Sequence, residues 1–404
     1  MSRSCAGPRT RRARGRSMLY SPTFFSMAVA NLSCLASFSV FYLFPLFITQ
    51  HGGDKADVGI IMGATALASV VFRPWISEMI DRMGRKRSYT LGSFLMTVLP
   101  LVYLYFDGTI VSFYLPLLII RIVHGIGFAV CITAAFTFVA DLVPKDRLNE
   151  GIGMFGVSGL VGSALGPAVA ELIIRRFDFD TLFYSAAGFS LIGLLVHLPL
   201  TETYIHTLKT VKVPFFAVLK QGRILGVAVI AVLFGIGLAA VNNFVSPFAH
   251  AVHLSFISVY YVAYSTAAIL TRVGGARLVD SLGEDRIIPY ALLLTGLGLM
   301  SMVFLGGTGV LFAAGLLTGC GHGILYPSLN VRAIRGQPIE IRGKIVGVYT
   351  GSIDAGVFAG SIILGYVGDL LGFRVLFLSA GVALLAGLGI FAATAGRALR
   401  ARGI

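Results

Sequence analysis

Charge is what this sequence has least of. Only 12% of its 404 residues are Asp, Glu, Lys or Arg, and 18 acids face 32 basic residues. A soluble domain carries about 25% charged residues, so water is not the solvent for most of this chain. Cysteine is equally scarce. Cys5, Cys34, Cys131 and Cys320 are scattered without C-x-x-C spacing, and no metal site follows from them. Nucleotide signatures are missing as well. GIGMFG at 151–156 fits G-x-G-x-x-G, yet no strand precedes it and it opens an apolar run. GKI at 343–345 lacks the Ser/Thr and the glycine spacing of a phosphate loop. No His-Glu-x-x-His and no nucleophile–base pair stands out. These absences exclude an ATP-driven pump, argue against an enzyme, and leave no cofactor to expect.

What the chain has instead is apolar residue, 56% of the total. It comes in runs of roughly 18–30 residues, and about 20 suffice to cross a ~30 Å hydrocarbon core. Twelve candidate spans follow: 20–49, 57–80, 88–106, 110–140, 151–174, 181–200, 224–250, 255–280, 287–305, 309–334, 344–370 and 374–396. Backbone amides in lipid must be satisfied within their own segment, so each is read as a helix in an all-α integral membrane protein. Pro45, Pro100, Pro116, Pro167, Pro247 and Pro327 fall inside these spans and should bend them. The first apolar stretch is too long for a signal peptide and is read as retained.

The charges orient the spans. With both termini cytoplasmic, 24 of the 32 Lys and Arg fall on the cytoplasmic side, 4 on the opposite side and 4 within spans. That bias fixes topology and accounts for the net charge of +14 without a nucleic-acid partner. The tail RTRRARGR reads as a topology anchor, with a lipid-headgroup or nucleic-acid role as the alternative. The chain also repeats. Shifted by 199, Arg73, Asp81 and Gly84 fall on Arg272, Asp280 and Gly283; shifted by 194, Gly127, Pro144, Gly153, Gly162 and Gly166 fall on Gly321, Pro338, Gly347, Gly356 and Gly360. The expected organisation is a basic tail (1–19), a six-helix bundle (20–200), a cytoplasmic linker (201–223), a second six-helix bundle (224–396) and a tail (397–404). Parallel halves of this kind build a midplane site in many secondary transporters.

Three motifs carry a family resemblance. SEMIDRMGRKR (77–87) resembles the loop between the second and third helices of the major facilitator superfamily, matching at Asp81, Arg82, Gly84, Arg85 and Lys86, with Ser77 in place of the first glycine. ARLVDSLGEDR (276–286), which contains Asp280, is its weaker copy. RIVHGIGFA (121–129) resembles the fourth-helix motif, with His124 where glutamine is usual. Gly153, Gly162, Gly166, Pro167, Ala170 and Glu171 resemble the fifth-helix antiporter motif without its last two glycines. The resemblance covers residues 20–396. It implies twelve helices in two pseudo-symmetric bundles, a cavity lined by spans 1, 4, 7 and 10, and the proton-coupled efflux branch. It also implies that Asp81 holds the halves together on the inner side when the protein opens outward, with Arg85 paired to Asp141.

Polar residues inside the spans are the site candidates. Arg121 lies about 11 residues, or roughly 16 Å, into its span. A lone Arg there costs at least ~2.5–3.5 kcal/mol. It should bond carbonyls of the first helix, or serve proton coupling or anion binding. His124 is one turn away and titrates near neutrality when unperturbed; it is read as a proton carrier or a packing residue. Asp354 must pair, bind substrate or take a proton, with Arg121 and Arg272 as candidate partners. His322, Tyr326, Asn31, Asn242 and Asn243 are expected substrate contacts. Arg73 and Arg272 are read as snorkelling or structural.

The expected function is secondary active export of a small molecule, coupled to protons, by a monomeric multi-pass protein of a bacterial cytoplasmic membrane. A non-translocating receptor or assembly helper, and a proton-coupled importer, are the alternatives. The topology has a direct check. A cysteine placed in the 201–223 loop should escape membrane-impermeant reagents added outside intact cells; labelling there would invert the orientation.

Overall fold

The computed structural model describes residues 20–144, 147–203 and 215–400; the tail at 1–19, residues 204–214 of the 201–223 linker and the side chain of Asp280 lie outside the described residues. All regular structure among the described residues is helical. The helices are α1 (Pro22–Gln50), α2 (Lys55–Met83), α3 (Arg85–Tyr105), α4 (Ile110–Leu142), α5 (Leu148–Arg176) and α6 (Phe179–His197). Then come α7 (Gly222–Ala251), α8 (Ser258–Leu282), α9 (Glu284–Phe304) and α10 (Thr308–Ile334). The last helical stretch, Ile339–Arg400, has 62 residues, far too many for one crossing. It turns at Gly372, whose φ of +84° breaks the helix into α11 (339–371) and α12 (373–400). Twelve membrane helices result.

Local chemistry sets the helix starts. Ser21 Oγ accepts from Phe24 N at 3.2 Å, and Pro22 follows it at the first position. Asp54 and Asp57 form a reciprocal capping box at the start of α2, at 2.8 and 3.0 Å. The sharp turns into α3 and α9 use Gly84 (φ +89°) and Gly283 (φ +80°), a conformation that only glycine adopts without penalty. These are the two glycines that the 199-residue shift superimposes.

The first six helices pack on one another, α1 against α5 and α6 and α4 against α2 and α3; the last six form an equivalent bundle around α7–α11 and α8–α10. The bundles meet along α2–α11 and α5–α8. Helices α1 and α7 break at matching depths, α1 in a 3₁₀ segment Phe41–Leu43 before Pro45 and α7 in a π turn Ala240–Phe244 before Pro247. Pro100, Pro116, Pro167 and Pro327 sit in helices that continue through them. The ends beyond the two breaks meet across the bundles, where Ser246 Oγ donates to Tyr42 O at 2.7 Å and the Tyr42 and Tyr261 rings lie 5.4 Å apart. This surface is termed the far face; the surface carrying residue 20, Gly84 and Gly283 is the basic face.

Close backbone contact explains the repeated glycines. A Cβ on Gly162 would stand 2.9 Å from Ala36 N, and one on Gly166 2.8 Å from Val40 N, so α5 lies directly on α1. Their counterparts repeat the arrangement between α11 and α7: a Cβ on Gly356 would reach within 2.9 Å of Gly235 Cα, and one on Gly360 within 2.7 Å of Ile236 Cα. Gly153 differs. A Cβ there meets nothing within 4 Å, so Gly153, though part of the same motif, makes no close backbone contact of this kind. Gly166→Ala and Gly360→Ala should each destabilise the folded protein by about 1–3 kcal/mol, the usual cost of overpacking, while Gly153→Ala should leave the thermal midpoint unchanged. Thermal unfolding of the three purified variants checks this.

Candidate functional site

Charge between the two bundles is concentrated at two levels. At the far face, two carboxylates cap helices of the opposite bundle. Asp369 of α11 accepts from Lys55 N at 2.9 Å and Ala56 N at 2.8 Å at the start of α2, with Lys55 Nζ 3.5 Å away. Glu171 of α5 accepts from Ile257 N at 2.8 Å and Ser258 N at 2.9 Å at the start of α8, and pairs with Arg175 at 3.0 Å. Helix N-termini carry unsatisfied N–H groups and a partial positive charge. Each carboxylate therefore latches one half to the other by satisfying donors that its own half does not own. The two latches are related by the repeat, α5 to α8 and α11 to α2.

Deeper in, Asp354 of α11 pairs with Arg73 of α2, and Arg73 Nη1 also donates to Thr350 Oγ1 at 3.0 Å. The sequence reading named Arg121 or Arg272 as the partner of Asp354 and took Arg73 as snorkelling or structural. The correction has a simple cause. Helices α2 and α11 touch across the bundles, so the cation that meets Asp354 is the one on α2.

Arg121 also departs from expectation. Its side chain is 1% exposed inside the first bundle and faces neither water nor an acid. Nε points to Ile61 O at 3.4 Å, Nη2 to Met62 Sδ at 3.3 Å, and the guanidinium lies 5.4 and 5.3 Å from the Phe41 and Phe44 rings. The carbonyl belongs to the second helix rather than the first, and the rings flank the break in α1. Cation–π contact offsets part of the desolvation. His124 is likewise fully buried, with Nδ1 3.1 Å from the Tyr103 hydroxyl. Asn31 donates to Ser158 Oγ at 2.8 Å and Asn243 to Ser361 Oγ at 2.7 Å, each within its own bundle; Asn242 is half-buried beside the latter.

The second bundle supplies the aromatic wall. His322 is bonded through Nδ1 to the Tyr264 hydroxyl and meets Phe234 edge-on at 5.0 Å. Tyr326 lies one turn along α10 and packs against Tyr349 at 5.6 Å. Arg272 stands 5.8 Å from the Tyr326 ring centroid.

At the basic face Arg85 organises the 77–87 motif. It bonds Asp81 at 3.0 Å and Asp141 at 3.1 Å, while Arg82 pairs with Glu78 at 2.5 Å. Glu202, which the sequence reading missed, accepts from Arg85 N and Lys86 N at 3.0 Å each and caps α3. The second half keeps the geometry with the signs exchanged. Glu284 pairs with Arg335 at 2.6 Å, and Asp285 pairs with Arg332. Glu284 and Arg335 are the positions that the 199 and 194 shifts assign to Arg85 and Asp141. Among the described residues no group of His, Cys, Asp and Glu could hold a metal.

The latches make a measurable prediction. Charge-assisted bonds to backbone N–H groups contribute about 1.5–3 kcal/mol each, so Glu171→Gln with Asp369→Asn should move the population toward a form open at the far face by about tenfold or more. Spin labels at Thr49 and His250, in a cysteine-free background, should report a longer distance in the double variant. An unchanged distribution would mean the latches do not hold the far face shut.

Comparison with known proteins agrees with this architecture. The model of the Major Facilitator Superfamily matches residues 26–352. The staphylopine export protein of Staphylococcus aureus is 22% identical over 377 residues, spanning 86% of this chain and 90% of that protein. Multidrug resistance protein MdtG of Serratia proteamaculans is 24% identical over 361 residues, spanning 86% of each. Among solved structures, the nucleoside transporter NupG superimposes with a TM-score of 0.76 at 14% identity, covering 93% of this chain and 99% of that one. The relatives are membrane transporters rather than enzymes, and the chain belongs to the major facilitator superfamily.

Proposed function

We propose that the protein exports a small molecule by alternating access, driven by protons that enter through Asp354. The observation that carries this reading is the Arg73–Asp354 pair, a half-buried ion pair shared by the two halves, in which losing one charge leaves the other costly. Protonating Asp354 removes its charge and frees Arg73, so one proton changes what joins α2 to α11. Coupling needs nothing more than a carboxyl whose protonation differs in cost between two arrangements of the halves.

In this scheme the basic face, both termini and the 201–223 linker are cytoplasmic, and the two six-helix halves rock as units about the α2–α11 and α5–α8 contacts. With the far-face latches made, the cavity receives cargo from the cytoplasm. Asp81, held here by Arg85, would engage the opposite half once the basic face closes. The direction of transport follows the names of the relatives, one an export protein and one a multidrug resistance protein. The protein acts as a monomer in the bilayer, with no cofactor.

Everted vesicles with an acid lumen test the coupling. Adding cargo should raise lumenal pH in the wild type, without ATP and without sodium. Asp354→Asn should abolish the cargo-dependent rise, and Asp81→Asn should slow it severalfold at equal protein level. A strict sodium requirement, or full proton exchange by Asp354→Asn, contradicts the scheme.

A further inference from the structure

Arg272, on α8 where it faces α5, is a cation that no acid balances among the described residues. Among the described residues it enters no ion pair, and its Nε is buried without a hydrogen-bond partner. It lies 14 residues past the start of α8, roughly 21 Å deep at 1.5 Å per residue. The fold nevertheless makes room for it. Gly156 of α5 faces it, and a Cβ there would stand 2.9 Å from Arg272 Nη1. Asp354, the acid at comparable depth, is already neutralised by Arg73 and Thr350 of the α2–α11 contact. The local balance is two cations to one acid.

The other side of Arg272 is flat and apolar. The guanidinium lies 5.8 Å from the Tyr326 ring, His322 is parallel to that ring at 6.1 Å, and the Tyr264 hydroxyl holds the imidazole in place. Tyr326 is itself fixed, since Tyr349 donates to its carbonyl at 2.8 Å and packs on its ring. Arg272, His322, Tyr326 and Asp354 are all partly exposed rather than sealed.

We propose that Arg272 anchors the anionic group of the cargo, and that Tyr326 and His322 form the wall for its body. The cargo class is then a small organic monoanion bearing a ring. This rests on the export reading above and adds the substrate class to it. A planar guanidinium suits a carboxylate or sulfonate, which it grips with two parallel bonds. A cationic cargo has no acid left to meet. A dianion finds only one uncompensated cation, because Arg121 is sealed inside the other bundle. With Asp354 ionised and a monoanion bound, the charges of Arg73, Asp354, Arg272 and the cargo sum to zero.

The test is binding, with no gradient. The protein in nanodiscs is titrated with anilinonaphthalene sulfonate and with phenylnaphthylamine, which has the same rings without the sulfonate, and empty nanodiscs are subtracted. The wild type should hold the sulfonate about tenfold or more tighter than the amine. Arg272→Gln should bring the ratio to about one while leaving amine affinity unchanged, which also reports an intact cavity. Arg121→Gln should keep the wild-type ratio. A wild-type ratio at or below one overturns the proposal without any variant. So does a preference that survives Arg272→Gln, or one that Arg121→Gln removes instead. If Arg272→Gln does not fold, Arg272→Lys takes its place and should give an intermediate ratio; an unchanged ratio there overturns the proposal. Failure here leaves proton-driven export standing, since loss of gradient-driven transport would not move this ratio.

Discussion

A carboxylate at the depth of Asp354 is costly without a partner. Arg73 arrives from the other half of the molecule to pair with it, so the bond that offsets the charge also joins the two bundles. Much of the architecture serves that constraint. The glycine faces bring α5 onto α1 and α11 onto α7, which sets the rigid bodies. The ends of α1 and α7 beyond their breaks meet across the bundles. The bundles then touch along α2–α11, and the acid and the cation are placed on those two helices.

The internal repeat is a repeat of positions more than of residue types. The far-face latches reuse one device twice, a carboxylate on α5 or α11 capping α8 or α2. The basic-face pairs reuse one geometry with opposite signs, Arg85 with Asp141 and Glu284 with Arg335. An ion pair is indifferent to which helix carries which charge, so the exchange preserves packing. It does change the electrostatics of the basic face, because a cation-first half stands beside an acid-first half.

The fold was legible because hydropathy acts over whole segments, and a misplaced boundary does not alter the count of spans. The repeat offsets were legible for the same reason, and Gly84 and Gly283 both prove to be left-handed turns. Side-chain partners were not. Asp354 could be recognised as buried from its position, but choosing Arg73 over Arg121 requires knowing which helices touch across the bundles. Arg121 looked like a cavity residue because its helix was expected to line one. Its direction along that helix, toward Ile61 and the α1 break, has no counterpart in a one-dimensional pattern. The reversed pair could have been found. Carrying the 199 and 194 shifts through the charges as well as the glycines places Glu284 on Arg85 and Arg335 on Asp141. Glu171 and Asp369 gave a weaker signal, since an acid near a span end is usually a solvated cap of its own helix.

The central claim is that one proton on Asp354 sets the balance between the two arrangements of the halves. Distances between spin labels on the two bundles at the far face, followed across pH in the purified protein, address it directly. The informative comparison is between the wild type and Asp354→Asn. The account predicts that the wild type shifts toward far-face opening as pH falls, and that Asp354→Asn stays near the acid distribution at every pH. The same pH dependence in both proteins would place the coupling proton elsewhere.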